Sequence, residues 1–250
     1  MSAIGHLPCG LVEYSAALRA QALLAKARRR GEIGDLLLTL EHPAVYTRGR
    51  RTTADELPLG EAWYRERGVD IQDTDRGGKV TLHNPGQLVA YPIVDLGPTR
   101  GVAAYVAGLE ETIVSTLDRL GVQSEILPRL TGVWTRQNTK IASIGVHVAR
   151  GITTHGLAIN VCNDLEPFSW IVPCGLQECE MTSVAVERGE SVTIADARRA
   201  LAESWGAVHR CEIRELAPTD LGPTATAALD LLEPRDPSVG PRDGAPASVR

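Results

Sequence analysis

Lys140-Ile141-Ala142-Ser143-Ile144-Gly145-Val146-His147-Val148-Ala149 is the stretch on which the fold turns. Strand alternation puts Lys140, Ala142, Ile144, Val146 and Val148 on one face, an apolar face that points inward. Residues 132–135 before it and 154–161 after it read as further strands. Helical spacing brackets the run: residues 102–120, closed by Gly121, and residues 193–208, with Thr193 as N-cap and Asp196 in the first turn. Upstream, residues 13–30 form an amphipathic helix whose apolar members are Ala16, Ala17, Ala20, Leu23, Leu24 and Ala27, ending at Gly31. Residues 35–41 are a Leu-rich buried strand. Residues 69–73, 79–83 and 88–94 read as strands punctuated by Gly and Pro, and residues 211–214 as a last one. Strands grouped between helices, with little strict alternation, give an α+β class of mixed β-sheets flanked by helices.

The bulk composition bounds the function. The 250 residues are 43% hydrophobic and 23% charged, as in a globular chain with a real core. A single Phe means that Leu, Val, Ile and Ala build that core. The net charge of -5 argues against nucleic-acid binding. Five irregularly spaced cysteines fit a reducing compartment better than a disulfide framework. No basic start followed by an apolar run marks a signal peptide, and no apolar stretch approaches a membrane span of roughly 20 residues. A cytoplasmic location is the expectation. One domain is expected over residues 1–216. Residues 217–250 read as a Pro/Ala-rich tail, disordered from 234 onward.

Two residues carry candidate chemistry. Cys174 lies in Val172-Pro173-Cys174-Gly175, where Pro stiffens the chain before the sulfur and Gly removes a side chain after it. Such a turn presents a thiol beside backbone N–H groups able to face an oxyanion. The bland reading is a small buried hydrophobe. Lys140 is either a strand-end lysine that snorkels to solvent or one held indoors, where desolvation lets it exchange protons near neutral pH. A nearby ammonium would hold Cys174 as the reactive thiolate.

Two further segments shape a candidate ligand site. Arg76-Gly77-Gly78-Lys79-Val80-Thr81-Leu82-His83-Asn84-Pro85-Gly86-Gln87 lets backbone approach a ligand on both sides of a short strand. It is neither a phosphate loop nor a dinucleotide fingerprint; the alternative is a tight β-hairpin. In His155-Gly156-Leu157-Ala158-Ile159-Asn160, Gly156 and Ala158 leave one face nearly bare. That strip is the floor of a groove for a fatty chain, or a place where two sheets pack closely. A His155–Cys174 dyad has no evident third partner, and a metal site from Cys162, Cys174 and Cys179 lacks ligand spacing.

Together these segments, with Glu41-His42-Pro43-Ala44-Val45-Tyr46-Thr47, resemble the lipoyl(octanoyl) transferases, in order from Leu36 to about Val184. The resemblance implies a biotin/lipoate-protein ligase catalytic-domain fold. It also implies transfer of an octanoyl group from acyl carrier protein to a lysine of lipoyl domains. Cys174 then corresponds to the acyl-thioester nucleophile and Lys140 to the lysine that lowers its pKa. Arg76, Gly77, Gly78, Lys79, Val80, Thr81, Leu82 and His83, then Ser143, Ile144 and Gly145, then Gly156, Leu157 and Ala158 match substrate-contacting segments. The implied partners are acyl carrier protein and lipoyl-domain proteins, namely 2-oxoacid dehydrogenase E2 subunits and the glycine cleavage H protein. No cofactor or metal of the chain's own is implied. Asn84 stands where the family usually has Gly, a substitution that Asn's tolerance of positive φ would allow. Ser143 replaces a common Ala and Leu157 a common Phe, the latter beside the acyl pocket. An ATP-dependent lipoate–protein ligase on the same fold and a non-catalytic acyl-binding module are the alternatives.

Overall fold

The computed structural model describes residues 3–172, 179–217, 220–221 and 223–232. In chain order the elements begin β1 (Ala3–Leu11), α1 (Tyr14–Arg29), β2 (Asp35–Glu41), β3 (Val45–Arg48), α2 (Glu61–Glu66), β4 (Asp70–Asp73), β5 (Thr81–His83), β6 (Gln87–Ile93) and α3 (Val102–Arg119). They continue as β7 (Ser124–Glu125), β8 (Val133–Thr135), β9 (Lys140–Ala149), β10 (Ile152–Asn160), α4 (Val184–Arg188), α5 (Ile194–His209), β11 (Glu212–Glu215) and α6 (Pro223–Leu229). Single 3-10 turns occupy Ala54–Glu56 and Glu166–Trp170.

Eight strands form one mixed sheet in the order β11-β1-β2-β6-β10-β9-β8-β7. β1 runs parallel to both β11 and β2; the other pairings are antiparallel. Both faces are covered, so its central strands carry unbroken apolar runs. On β2, Leu37 faces one layer with α3 and α5, while Leu36, Leu38 and Leu40 face the other with α1 and α6. β6 divides the same way, with Leu88 and Ala90 against Val89, Tyr91 and Ile93. Thr193 Oγ1 accepts the Asp196 N–H at 3.1 Å and caps α5 as its sequence predicts.

A second, three-stranded sheet, β4-β3-β5, packs its own small core of Tyr46, Tyr64, Val80, Leu82, Phe168 and Ile171. This excludes the hairpin alternative for residues 76–87. β5 pairs with β3 in the small sheet, whereas β6 pairs with β2 and β10 in the large one. The chain changes sheet at Asn84-Pro85-Gly86. Asn84 does not take positive φ there; Gly86 does, at 86°. A Cβ on Gly86 would lie 2.7 Å from the Asn163 nitrogen. Asn84 instead donates to the Asp164 carbonyl at 2.7 Å and accepts from Asn163 at 3.0 Å.

The stretch read as a tail from residue 217 contributes α6, which lies on α1 with Leu221, Ala225, Ala228, Leu229 and Leu232 buried. Residues 233–250, which include the segment expected to be disordered, lie outside the described residues.

Candidate active site

Between the two sheets lies a cavity of about 410 Å³. All three segments expected to contact substrate border it. Arg76, Gly77, Gly78, Lys79, Val80, Thr81 and His83 line one wall. Ser143, Ile144 and Gly145 of β9, with Gly156, Leu157 and Ala158 of β10, line the other. Leu82 does not: alternation along β5 aims Thr81 and His83 at the cavity and Leu82 into the small core.

Lys140, at the head of β9, also lines the cavity and is 2% exposed. It is therefore the indoor lysine of the two sequence readings. Its Nζ donates to the Thr131 carbonyl at 3.0 Å and sits 5.2 Å from the Trp134 ring centre. Gly132 makes room for it. That residue has φ 117°, and a Cβ there would lie 3.0 Å from Lys140 Cε and 2.5 Å from the Ala142 oxygen. The Lys140 backbone is held by the chain that follows the Cys174 segment. Lys140 N donates to Glu180 O at 2.8 Å, and Thr182 N donates to Lys140 O at 2.9 Å. Cys174, with Pro173 and Gly175, lies outside the described residues. Burial raises the thiols of Cys9, to about 11, and of Cys162 and Cys211, which makes them poor nucleophiles.

The glycine-rich wall is built from polar contacts. The buried Arg76 guanidinium donates to Thr47 O at 2.6 Å, Thr47 Oγ1 at 2.8 Å and Gly77 O at 3.0 Å. Gly145 yields to it, since a Cβ there would lie 2.9 Å from Arg76 Cδ. Gly77 N donates to Val146 O at 2.9 Å and ties this wall to β9. Glu56, absent from the sequence reading, is the keystone of this wall at 1% exposure. Its carboxylate receives Lys79 Nζ at 2.7 Å, Val80 N at 3.0 Å and Thr53 Oγ1 at 3.1 Å. Its carbonyl accepts Val172 N at 3.1 Å, two residues before Cys174. An acidic residue in a single 3-10 turn has no periodic signature that would have revealed it.

Behind His83 lies a network of buried polar groups. Gln87 donates through Nε2 to Leu82 O at 3.1 Å and Asn160 Oδ1 at 2.9 Å, so its Oε1 accepts His83 Nδ1–H at 2.7 Å. Asn160 donates in turn to Thr182 O at 3.0 Å, and Thr182 N reaches Lys140. A bonded chain thus joins His83 on one wall to Lys140 on the other. Burial, reinforced by the charge of His42, pushes His83 well below the usual imidazole range. His42, lowered by burial to about 4, donates to Val12 O at 2.6 Å and accepts from Tyr91 OH at 2.8 Å.

His155 holds φ 56° in the middle of a strand. Its N–H turns to Gln21 Oε1 at 2.6 Å, and its Nε2 bonds Asp75 Oδ1 at 2.7 Å. That bond holds the Asp75 carboxyl below its ordinary range, while burial lowers His155 itself. The regular β6–β10 ladder runs from Leu157 to Asn160, and Tyr91 and His155, just beyond its end, line the cavity. Gly156 is bare because a Cβ would lie 2.2 Å from the Ala90 oxygen of β6. Close strand approach therefore requires glycine at that position, on a cavity wall. Among the described residues no cluster of three His, Cys, Asp or Glu side chains forms a metal site.

Solved structures with this architecture define the class. A bipartite lipoate protein ligase from Thermoplasma acidophilum superposes with a TM-score of 0.74 over 93% of this chain and 92% of that one, at 17% identity. A lipoate-protein ligase A bound with ATP gives 0.71 over 93% and 94%, at 16% identity. The fold is that of the lipoate–protein ligases. The lipoyl protein ligase A/B catalytic domain model matches residues 13–206. An octanoyltransferase from Koribacter versatilis is 38% identical, covering 94% of this chain and 98% of its own. One from Chloroflexus aurantiacus is 45% identical, covering 82% and 93%, and one from Mycobacterium tuberculosis 44%, covering 81% and 85%. The chain belongs to the lipoyl protein ligase A/B catalytic domain family.

Proposed function

We propose that the protein is an octanoyltransferase of protein lipoylation. It takes the octanoyl group from the thioester arm of acyl carrier protein and delivers it to a lysine of lipoyl-domain proteins, 2-oxoacid dehydrogenase E2 subunits and the glycine cleavage H protein among them. It works in the cytoplasm without a cofactor of its own. Among the described residues no helix is long and apolar enough to cross a membrane.

The observation that carries this reading is Lys140. A lysine 2% exposed on a cavity wall, its backbone bonded to Glu180 and Thr182 in the chain that follows the Cys174 segment, supports a role beside that sulfur. The Cys174 thiolate attacks the thioester carbonyl, a new C–S bond forms, and the carrier's C–S bond breaks. The departing thiolate takes a proton from the Lys140 ammonium. The acceptor lysine then gives a proton to Lys140 and attacks the acyl-enzyme; the amide forms and Cys174 leaves as thiolate. One thioester replaces another in the first step, so no ATP is required. The Arg76–His83 segment and β9 and β10 hold the acyl chain.

Intact mass spectrometry of the full chain mixed with octanoyl-carrier, ATP omitted, tests this. A mass gain of one octanoyl group in wild type that disappears in Cys174→Ala is expected. Absence of the adduct, with transfer only when ATP and free acid are supplied, would assign the chain to ligase chemistry. Full transfer by Cys174→Ala would remove the covalent step.

A further inference from the structure

The cavity lining carries five cations, Arg51, Arg76, Lys79, Arg129 and Lys140, and among the described residues no carboxylate. That is a local excess in a chain with 26 basic and 31 acidic residues. Three of the five have defined tasks. Arg76 holds Thr47, Lys79 pairs with Glu56, and Lys140 serves the proposed nucleophile.

Arg51 and Arg129 differ. Both side chains are exposed, and among the described residues neither has an ion-pair partner. The neighbouring Arg48, by contrast, is bound to Asp73 and Glu61, each at 2.7 Å. The Arg51 amide donates to Gly78 O at 3.0 Å, which fixes this residue to the glycine-rich wall. Arg129 lies two residues before Thr131, whose carbonyl holds Lys140, and so belongs to the opposite wall. Arg129 also has φ 70°. A side chain in that region costs about 1 kcal/mol that glycine avoids, so the backbone gives no reason for arginine.

An octanoyl chain and its thioester are uncharged and account for neither arginine. We propose that Arg51 and Arg129 form an anion subsite at the cavity entrance that takes the phosphodiester of the arm carrying the acyl thioester. Each guanidinium presents a fork of N–H donors suited to phosphate oxygens. This inference rests on the function proposed above.

Two small donors isolate it: octanoyl-4′-phosphopantetheine and octanoyl-pantetheine, which differ only in the phosphate. The wild type should favour the phosphorylated donor about 10-fold or more in kcat/KM, the loss associated with one charge-assisted contact. In Arg51→Gln/Arg129→Gly the ratio should fall toward one. Glycine suits the backbone at 129, so folding is not at risk. Arg51→Lys/Arg129→Lys, which keeps the charge but loses the fork, should give an intermediate ratio. A wild-type ratio near one, or an unchanged ratio in the Gln/Gly variant, would overturn the subsite. A third arm supplies ATP with free octanoate. If the arginine variants impair only that reaction, the phosphate belongs to a nucleotide and the assignment to the carrier's arm is wrong. Failure of both donors to acylate the wild type would defeat the proposed function and this inference with it. Acylation without phosphate preference would defeat this inference alone.

Discussion

The two walls of the cavity are held by different forces. The β9–β10 wall belongs to the eight-stranded sheet, fixed by aliphatic layers on both faces. The glycine-rich wall hangs on directional contacts around a buried arginine and a buried glutamate. Area burial tolerates small displacements and adds up over many residues; a polar wall depends on a few bonds, each costly to leave half-made. The comparison predicts that apolar truncations in the large sheet lower stability, whereas polar changes in the small-sheet wall alter substrate handling.

Lys140→Met should produce the largest effect. The octanoyl-transfer rate is expected to fall about 10³-fold, within the range of general acid–base catalysis, while urea unfolding shows a protein at least as stable as wild type. A matching loss of stability would mean that the residue is architectural. Leu38→Ala lies in the aliphatic layer at 0% exposure. It should cost about 3 kcal/mol by denaturant titration and leave KM for the carrier unchanged.

Acid sharpens the same contrast. Burial lowers the pKa of His6, His83 and His155, and takes His42 and His209 to about 4. In the unfolded chain each titrates near 6.5. Between pH 6.5 and 4 the unfolded state therefore binds more protons, and stability falls as the pH falls. Fully buried His42 alone accounts for roughly 3 kcal/mol at the acid end. Urea midpoints should drop steeply below pH 6.5, and His42→Gln should flatten that slope. A midpoint independent of pH in this window would contradict the burial of these imidazoles.

Among the changes expected to destabilise the protein, Glu56 gives the smallest effect but a diagnostic one. Lys79 is 35% exposed, so the lost ion pair is partly screened, and Glu56→Ala should cost about 2 kcal/mol. Glu56→Gln, which keeps an acceptor for Val80 N, should cost less. Both should raise KM for the octanoyl donor, because the 79–80 backbone moves. An unchanged KM in Glu56→Ala would show that the wall does not need its keystone.

What was legible in the sequence follows the same division. Residues 35–41 match β2 in full, and the predicted boundaries of α1, α3 and α5 agree within one residue, because burial writes itself as apolar runs and helical periods. β1 gave no such signal, since Gly5, His6, Pro8 and Gly10 interrupt it and its identity depends on parallel pairing with residues far along the chain. β3 is only four residues long. The change of sheet between β5 and β6 is a matter of long-range register that local turn chemistry cannot specify. At the site, Lys140 and the three cavity segments were readable as motifs. Glu56, the left-handed His155 and the Gln87–Asn160–Thr182 chain were not, because each acquires meaning only through partners distant in sequence.

The proposed mechanism requires an amine that keeps a sulfur ionised. Its most direct test is the rate of Cys174 alkylation by iodoacetamide as a function of pH, read by peptide mass spectrometry in wild type and Lys140→Met. The wild-type midpoint should lie well below the ordinary thiol value of about 8.5, and the variant's should return to that value or above it. Identical midpoints in the two proteins would contradict the account.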